Sequence, residues 1–405
     1  MKKINNSLII VAILSVFAIP MSTQIPTAGM QNIADHFPNA AYTTIAMVVT
    51  LPVLVAAAFS LVAGKIAGTK VETKSLIIFA LILFTVGGVA PYFSPNNLTM
   101  ILVWRAIYGI GVGLLSPLGA TLVVQMLSGD LQTKAMGAGS IALNVSGVIY
   151  LALAGFLANA AWQNMFLIYF VGLLFLVAVI LWLPREPIQT EKSDVVKDAK
   201  PAFITPAMVG IAVVCFVIAV LEYPVLINMS PLIINENIGT AATAGIILAL
   251  YTVGGILGSA IYAAYKRQLK THTIPSSMLI VAAGLVLISF GTNALMLGAG
   301  TLLIGVSFGI YYPEFYMLMG KAAPVSLTAM GMSLIMVGYD LGGFVSPYFY
   351  SLLAQVTGQE GIRFPFIFSM IAFVVIAVIM GLGARKQPAT ENVKPDLAAE
   401  EKSTP

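Results

Sequence analysis

The chain has 405 residues, of which 59% are hydrophobic and 9% are charged, and its mean hydropathy is +0.97. Soluble domains carry about 25% charged residues, so a water-soluble fold cannot hide this much apolar surface and lipid must cover it. The formal net charge of +4 does not indicate nucleic-acid binding, because the basic residues are spread over short loops, where they meet anionic lipid headgroups.

Twelve predominantly apolar runs of about 17–25 residues are each long enough to cross a bilayer as a helix. Helices are favoured over a closed barrel, because barrels show short alternating segments instead of long apolar runs. The sequence therefore predicts an all-α integral membrane protein whose spans 1 to 12 cover approximately residues 7–24, 44–64, 75–93, 100–123, 136–158, 164–183, 206–230, 242–264, 275–291, 296–319, 328–355 and 363–384.

The basic residues orient these spans. Eighteen of the twenty Lys and Arg residues fall on one side, and the exceptions are Arg105, inside span 4, and Arg363, at the outer edge of span 12. Because basic loops stay in the cytoplasm, we predict a multi-pass protein of the plasma (cytoplasmic) membrane with cytoplasmic N- and C-termini. The start, Met1-Lys2-Lys3 before an apolar stretch, imitates a signal peptide, but no small-x-small cleavage site follows, so we interpret this stretch as span 1.

Two connecting segments are longer than the others. Residues 25–43 are predicted to form an outer loop, and the charge-rich segment 186–205 is predicted to be a cytoplasmic linker. The linker divides the chain into two six-helix bundles, residues 1–185 and 206–385. The polar residues 386–405 are predicted to be a disordered cytoplasmic tail.

The two halves share an internal repeat. Span 4 contains a Gly-x3-Gly-x3-Pro pattern that recurs in span 10 after 196 residues, and at the same shift Asn144 aligns with Asp340. Parallel repeats of six spans are a known transporter architecture, so we predict that the halves arose by duplication. Glycines of this kind allow helices to approach closely, and we assign helix packing to Gly109, Gly113, Gly147, Gly305, Gly309 and Gly343.

Four ionisable residues lie inside spans: Arg105, Glu222, Glu314 and Asp340. Each costs about 2.5–3.5 kcal/mol on insertion scales, so such residues usually face a cavity and have a function. Asp340 is near the middle of span 11. Burial favours the protonated form of a carboxyl group and a nearby cation favours the ionised form, which is the antagonism needed to exchange a proton for a cationic substrate. The alternative for Asp340 is a structural hydrogen bond to a neighbouring helix.

The other two acids lie nearer the predicted membrane surfaces. Glu222 stands two residues before Pro224, and broken helices line binding sites in transporters, so we assign it to substrate or proton binding. The alternative for Glu222 is that its side chain extends to the outer membrane interface and binds neither substrate nor a coupled proton. Glu314 lies closer to the cytoplasmic end of span 10, where an inner gate and a plain interfacial position are equally open.

Arg105 has three possible roles: pairing with a carboxylate, holding helix-end carbonyls, or binding an anionic substrate, which would reverse the substrate class. Gln24 in span 1 and Asn144 in span 5 offer neutral polar contacts to a substrate, or interhelical hydrogen bonds. Tyrosines near the charges have aromatic faces that suit a lipophilic or cationic solute, and the substrate-binding candidates among them are Tyr108, Tyr223 and Tyr339. Packing or a place at the membrane interface is the alternative, and it fits Tyr311 and Tyr312.

Several kinds of chemistry are absent from the sequence. Cys215 is the sole cysteine, and the two histidines, His36 and His272, lie in loops on opposite sides, so we predict neither a disulfide nor a metal site. The sequence has no phosphate-binding Gly-x4-Gly-Lys-Ser/Thr loop and no Ser-His-Asp set. We therefore expect no cofactor and no enzymatic activity, with energy supplied by an ion gradient or by the gradient of the solute itself.

Three stretches resemble motifs of the major facilitator superfamily. Residues 105–113 are similar to its Arg-x3-Gly-x-Gly motif in span 4, and residues 162–166 resemble a Trp-Arg-x-x-Phe stretch that opens span 6. The loop 64–72 resembles the family's Gly-x-Leu-x-Asp-Arg-x-Gly-Arg loop, with glycine in place of the acid, and span 5 lacks the Gly-Pro pair of antiporters. The resemblance covers essentially residues 1–385. It implies a central cavity lined by spans 1, 4, 7 and 10 and, from the twelve-span drug:proton antiporter branch, a link between Arg105 and proton coupling.

The sequence thus favours a secondary transporter that works by alternating access. It would move a small lipophilic or cationic organic solute in exchange for protons, as an efflux protein, with Asp340, Glu222 and Arg105 in proton coupling. The alternatives are a proton-coupled importer of a small organic solute or anion, and a non-transporting membrane sensor, which would leave the intramembrane charges unexplained. The expected partners are the solute, protons and the lipid bilayer, without nucleic acid, and the expected state is a monomer.

Overall fold

A computed structural model describes residues 6–68, 71–184, 204–324, 327–359 and 361–385. Within these residues every regular element is helical, apart from one isolated bridge between Ala67 and Val71. The predicted tail 386–405 and all but the last two residues of the predicted linker 186–205 lie outside the described residues.

The first six spans occupy the chain before the predicted linker. Span 1 consists of Asn6–Phe17, the 3-10 segment Pro20–Gly29 and Met30–His36; spans 2 to 5 are Tyr42–Ile66, Thr73–Val89, Leu98–Leu115 with Leu118–Met126, and Gly129–Ala160; span 6 consists of the 3-10 segment Trp162–Phe170 and Val171–Trp182.

The second six spans follow the linker. Span 7 is broken into Pro206–Glu222, Pro224–Ile227 and Met229–Asn235; spans 8 to 12 are Ala241–Leu269, Thr273–Phe290, Ala294–Ala322, Thr328–Thr357 and Phe364–Arg385.

Among the described residues, nine continuous helical stretches are long and apolar enough to cross a membrane, and the pair Ser7–Phe17 and Pro20–His36, bent by 45°, makes a tenth. One of the nine, Ala241–Phe290, contains both span 8 and span 9. The 30-residue helix Thr328–Thr357 is span 11. Dividing Ala241–Phe290 into spans 8 and 9 and adding span 11 brings the ten stretches to twelve spans, as the sequence predicts.

The predicted outer loop at residues 25–43 is wrong, because helix continues through His36 and leaves only residues 37–41 as a connection. In a sequence, residues such as Pro20, Pro26 and Gly29 are typical of the end of a helix or of a loop. Proline is nevertheless compatible with a helical backbone when another donor takes the carbonyl it leaves unpaired. In this protein, side chains from spans 4 and 6 provide those donors.

Glycines bring span 4 onto span 2, and span 10 onto span 8, in the same manner. A methyl group at Gly113 would lie 2.5 Å from the carbonyl oxygen of Ala56, and one at Gly309 would lie 2.3 Å from that of Gly255. Gly109 and Gly305 make equally close approaches one turn earlier. The pattern that repeats in the sequence is therefore a pair of equivalent helix contacts, one in each half.

Gly147 and Gly343, also equivalent in the repeat, lie against the first span of their own half. A methyl group at Gly147 would meet the Met21 side chain at 3.2 Å and, across the halves, Thr252 at 3.1 Å. One at Gly343 would lie 2.5 Å from the ring of Tyr223 in span 7.

The outward faces of the spans carry large apolar side chains. Leu174, Ile141 and Ile379 are 70%, 65% and 64% exposed, and many similar residues surround the bundle. Exposed apolar surface on this scale needs a nonpolar solvent, so these faces lie in the lipid.

Replacing Gly305 tests the close helix contact of spans 8 and 10. We expect Gly305→Ala to destabilise the protein by about 1–3 kcal/mol, because its methyl group would lie 2.0 Å from the carbonyl oxygen of Tyr251 and force the helices apart. The measurement is the melting temperature of the purified protein. The control is Gly210→Ala in span 7, where nothing lies within 4 Å of the added methyl group. Equal melting temperatures for the two variants would contradict the packing interpretation.

Candidate functional site

Arg105 is the central polar group of the N-terminal half and is fully buried. Its Nε donates to the carbonyl oxygen of Val48 in span 2 at 2.7 Å, and its Nη1 donates to the hydroxyl of Tyr169 in span 6 at 2.8 Å. Its Nη2 reaches the carbonyl oxygen of Thr23 in span 1 at 3.4 Å. The guanidinium carbon also lies 4.3 Å from the centre of the Tyr108 ring. One side chain thus joins spans 1, 2, 4 and 6.

Two prolines explain why these carbonyls are available. Pro52 has no N–H to donate to the carbonyl four residues earlier, which is that of Val48. Pro26 likewise has no N–H for a carbonyl one turn earlier in span 1, and there Arg105 bonds the Thr23 carbonyl and the Tyr169 hydroxyl donates to that of Ser22 at 2.9 Å.

This geometry corresponds to one of the three roles open to Arg105, the holding of carbonyl groups. Among the described residues no carboxylate forms an ion pair with its guanidinium. The Tyr108 hydroxyl bonds Ser22 at 2.6 Å, so Tyr108 belongs to the same buried group. Neither side chain is placed with the acids of the other half.

Glu222 is the central polar group of the C-terminal half, and only 1% of its surface is exposed. The hydroxyl of Tyr251 in span 8 donates to its Oε1 at 2.8 Å. The hydroxyl of Tyr311 in span 10 donates to its Oε2. Both oxygens of the carboxylate therefore have a phenolic donor, and the contacts connect spans 7, 8 and 10.

An aromatic cluster surrounds this carboxylate and is centred on Phe308. The Phe308 ring stacks on Tyr312 at 4.8 Å and lies 5.6 Å from Tyr251 and from Tyr311. Tyr339 of span 11 completes the cluster at 5.8 Å from Phe308. These rings present several π faces beside the acid, which is the arrangement that attracts cations.

Asp340 follows Tyr339 in span 11 and is half-buried. It lies within electrostatic range of the Tyr223 and Tyr312 hydroxyls, and no hydrogen bond or ion pair joins it to another described residue. Gln24 of span 1 faces the Tyr223 hydroxyl, and its Oε1 is buried without a hydrogen-bond partner. An unpaired acceptor and an unpaired acid thus lie where the two halves meet.

The structure therefore brings together one subset of the predicted site residues: Gln24, Glu222, Tyr223, Tyr339 and Asp340. No hydrogen bond joins Asn144 to these residues, and its amide donates to the Ser140 carbonyl in its own helix at 2.8 Å.

The two tyrosines that bond Glu222 are not among the substrate-binding residues that the sequence predicts. Tyr251 is absent from them, although its position in the middle of span 8, away from either interface, indicates a buried hydroxyl. Tyr311 fitted an interface position in the sequence, but in the structure it is 1% exposed and bonds Glu222.

Glu314 lies apart from this cluster, at the end of span 10 that the sequence predicts to be cytoplasmic. It is 3% exposed, accepts from the Tyr262 hydroxyl at 2.7 Å and pairs with Lys266, so two residues of span 8 hold it. The pair fastens spans 8 and 10 within one half. A part in an inner gate stays a prediction.

The halves are joined by hydrogen bonds at the opposite end, which the sequence predicts to be outer. The Tyr42 hydroxyl donates to the carbonyl oxygen of Ile227 at 2.9 Å and lies 3.1 Å from Oδ1 of Asn228. Gln31 accepts from the Asn235 amide at 3.2 Å, and its backbone N–H reaches Ser230.

Spans 5 and 8 also close against each other at this end. A methyl group at Gly155 would lie 2.6 Å from the Ala241 carbonyl oxygen, so the two backbones are in direct contact. The described structure is therefore shut at the end that carries Gln31 and Asn235.

No candidate metal site accompanies these groups. Among the described residues, no group of three or more His, Cys, Asp or Glu side chains could hold a metal ion.

Changing Arg105 tests its role as a carbonyl donor. We expect Arg105→Lys to lower the melting temperature, since one ammonium group cannot reach three acceptors in different spans and each buried group left unpaired costs about 1–3 kcal/mol. Arg267→Lys, at an exposed position of span 8, is the matched control. If Arg105→Lys and Arg267→Lys have the same melting temperature, the donor role of Arg105 is refuted.

Removing the Tyr42 hydroxyl tests the outer closure. We expect Tyr42→Phe to open this end more often, because the Ile227 carbonyl loses its donor from the other half. The measurement is maleimide labelling of a Ser230→Cys, Cys215→Ala protein, as Ser230 is buried between the halves. Labelling should be faster with Tyr42→Phe and unchanged with the control Tyr92→Phe. Unchanged labelling with Tyr42→Phe would exclude this bond as a latch.

Comparison with known proteins agrees with this architecture. The sequence matches the model of the Major Facilitator Superfamily over residues 10–347 and 211–404. An uncharacterized MFS-type transporter, YceJ of Bacillus subtilis (strain 168), is 23% identical over 337 residues, which cover 79% of this chain and 84% of YceJ. The putative multidrug resistance protein MdtD of Escherichia coli (strain K12) is 29% identical over 150 residues, only 36% of this chain and 31% of MdtD.

Solved structures show the same fold at low identity. A bacterial homolog of the human lysosomal transporter Spinster, in an inward-facing and unoccupied conformation, has a TM-score of 0.75 at 14% identity, with 95% of this chain and 98% of that chain covered. A D-xylose-proton symporter has a TM-score of 0.70 at 16% identity, with 93% and 97% covered. The chain therefore belongs to the Major Facilitator Superfamily and is a multi-pass membrane transporter, not an enzyme.

Proposed function

We propose that this transporter exchanges a small lipophilic or cationic organic solute for protons and that it works in efflux. The observation that carries the proposal is that Glu222 and Asp340 both lie beside a cluster of tyrosines near the contact between the two halves. The unpaired Gln24 oxygen adds an acceptor for a solute N–H or O–H.

The charges near this site favour a cation over an anion. Among the described residues, no Lys or Arg pairs with Glu222 or Asp340. Arg105, the basic residue that could attract an anion, already uses its donors on Val48, Tyr169 and Thr23. Two acids and several π faces provide the attraction that a desolvated cation requires.

Proton coupling follows from the way in which Glu222 is held. As a carboxylate it accepts from both Tyr251 and Tyr311. Protonation turns one of its oxygens into a donor, so the tyrosine hydroxyl on that side must either rotate to accept the hydrogen bond or lose it. Because the two tyrosines stand on spans 8 and 10, the protonation of Glu222 would alter how span 7 is held against them.

Asp340 would act as the exchangeable acid. Without a fixed partner among the described residues, it is free to bind either a proton or a cationic solute, and the two compete. In the proposed cycle the solute enters from the cytoplasm while the acids are ionised, and protons from outside displace it after the halves have rocked. A ligand drives this movement only by its different affinity for the two states.

The orientation and the working unit are part of the proposal. Basic loops place both termini in the cytoplasm of a bacterial plasma membrane, so that the closed end with Tyr42 faces outward. The site lies where the halves of one chain meet, so a monomer suffices. The name of MdtD supports export of drugs, whereas the D-xylose-proton symporter shows that the same fold serves import.

Transport by reconstituted protein tests the assignment. In proteoliposomes with an imposed pH gradient, we expect the cation ethidium to cross the membrane in the direction opposite to the protons. The anion benzoate should not be transported. Asp340→Asn and Glu222→Gln should each abolish the gradient-driven part, because an amide cannot exchange a proton. The measurement is ethidium fluorescence after the pH jump.

The control is Asp130→Asn, which changes an exposed acid paired with Lys134. If Asp340→Asn keeps full gradient-driven transport, the coupling assignment is wrong. Transport of benzoate in the direction of the proton gradient would instead support the alternative of an anion importer.

A further inference from the structure

A separate cavity of about 500 Å³ lies between the halves at the closed end. Its volume is within the range of about 300–1,000 Å³ that is usual for sites of small molecules. Spans 1 and 2 form one wall, and spans 7, 11 and 12 form the others. None of the acids of the proposed transport site lines it. The polar side chains that do are Gln31, Tyr42, Thr43, Asn228, Asn235, Tyr350, Ser351 and Gln359.

The chemistry of the walls selects an uncharged ligand. No lining residue among those described is Asp, Glu, Lys, Arg or His, and most of the remaining wall is apolar, including four prolines. A charged ligand would lose its hydration there without a counter-charge. A molecule with an apolar body and a hydroxyl or amide group would find both kinds of surface it needs.

Hydrogen-bonding capacity is left over for such a group. The Asn228 oxygen lies 3.1 Å from the Tyr42 hydroxyl, and its amide N–H groups are left for a ligand. Asn235 donates to Gln31, which leaves its oxygen. Ser351 makes no hydrogen bond to any described residue. The cavity therefore offers both donors and acceptors.

The walls come from both halves, and this links the cavity to the transport cycle. The Tyr42 bond to Ile227 lies at its edge, and separation of the halves at this end would carry Gln31 and Tyr42 away from the other walls. A ligand that needs all the walls binds the closed state alone and shifts the population toward it.

We propose that this cavity is a second ligand site, which binds small uncharged amphipathic molecules and thereby holds the outer end closed. The closure rests on the alternating access assumed for the proposed function, whereas the binding does not depend on which solute is transported.

Labelling of Ser230→Cys in a Cys215→Ala background tests the proposal without any transport assay. The protein is placed in phosphatidylcholine nanodiscs, because sugar detergents have the same chemistry as the proposed ligand. Three probes of equal chain length are compared: monooctanoylglycerol, which is uncharged, octanoate and octyltrimethylammonium. At about twice its Kd, monooctanoylglycerol should slow maleimide labelling about threefold, since the closed state gains a factor of (1 + [L]/Kd). The two charged probes should leave the rate unchanged.

Two residues of span 11 provide the matched variants. Ala354→Trp fills the cavity and should abolish the effect of monooctanoylglycerol, whereas Leu352→Trp, on the lipid-facing side at 61% exposure, should keep it. If Ala354→Trp fails to fold, the double change Ser351→Ala and Gln359→Leu removes hydrogen-bonding groups from the wall and should weaken the effect several-fold. Equal slowing by all three probes, or slowing that persists in the cavity variants, would overturn the proposal. Neither result would bear on the ethidium experiment, so the two proposals fail separately.

Discussion

The need to satisfy backbone carbonyls in lipid governs this structure more than any other interaction. Water is absent from the hydrocarbon, so a carbonyl that a proline leaves without its helical donor must find another inside the protein. Side chains of neighbouring spans provide such donors at several prolines in both halves. Ser346 of span 11 donates to Val220, four residues before Pro224, at 2.7 Å. Ser259 of span 8 reaches Gly309, four residues before Pro313, at 3.4 Å.

The two halves use different side chains to satisfy these carbonyls. In the first half the cation Arg105 donates to the carbonyls near Pro26 and Pro52, so its side chain has a structural role. In the second half serines perform that task, and the ionisable groups of span 7 and span 11 are held by phenols or are left unpaired. The first half thus contains a buried cation held by carbonyl groups, whereas the second half contains a buried acid held by phenols and an acid without a bonded partner among the described residues.

Much of this fold was predictable because its determinants are local. Apolar length predicts the spans, and the repeated Gly-x3-Gly-x3-Pro pattern predicts equivalent helix contacts. The error at residues 25–43 arose because proline and glycine are read as ends of helices, while donors from spans 4 and 6 that make the segment helical are distant in sequence.

The site was predictable only in part for the same reason. The cost of a charge in lipid points to Glu222 and Asp340 from the sequence alone. Their partners are harder to predict, because a tyrosine costs little in a membrane. The position of Tyr251 in the middle of span 8 indicates a buried hydroxyl but not which acid accepts its hydrogen bond. The sequence also assigns Arg105 and Tyr108 to the site of the acids, and only the packing shows that they bond residues of their own half instead.

The bond between Tyr42 and Ile227 differs from the other proline-related contacts, because its donor and its acceptor belong to opposite halves. The Ile227 carbonyl lies four residues before Pro231 and has no helical donor to return to. When the halves separate there, a water molecule must take the place of the phenol. Separation of the halves at this end would thus also be a hydration step, which osmolytes that lower the activity of water would oppose.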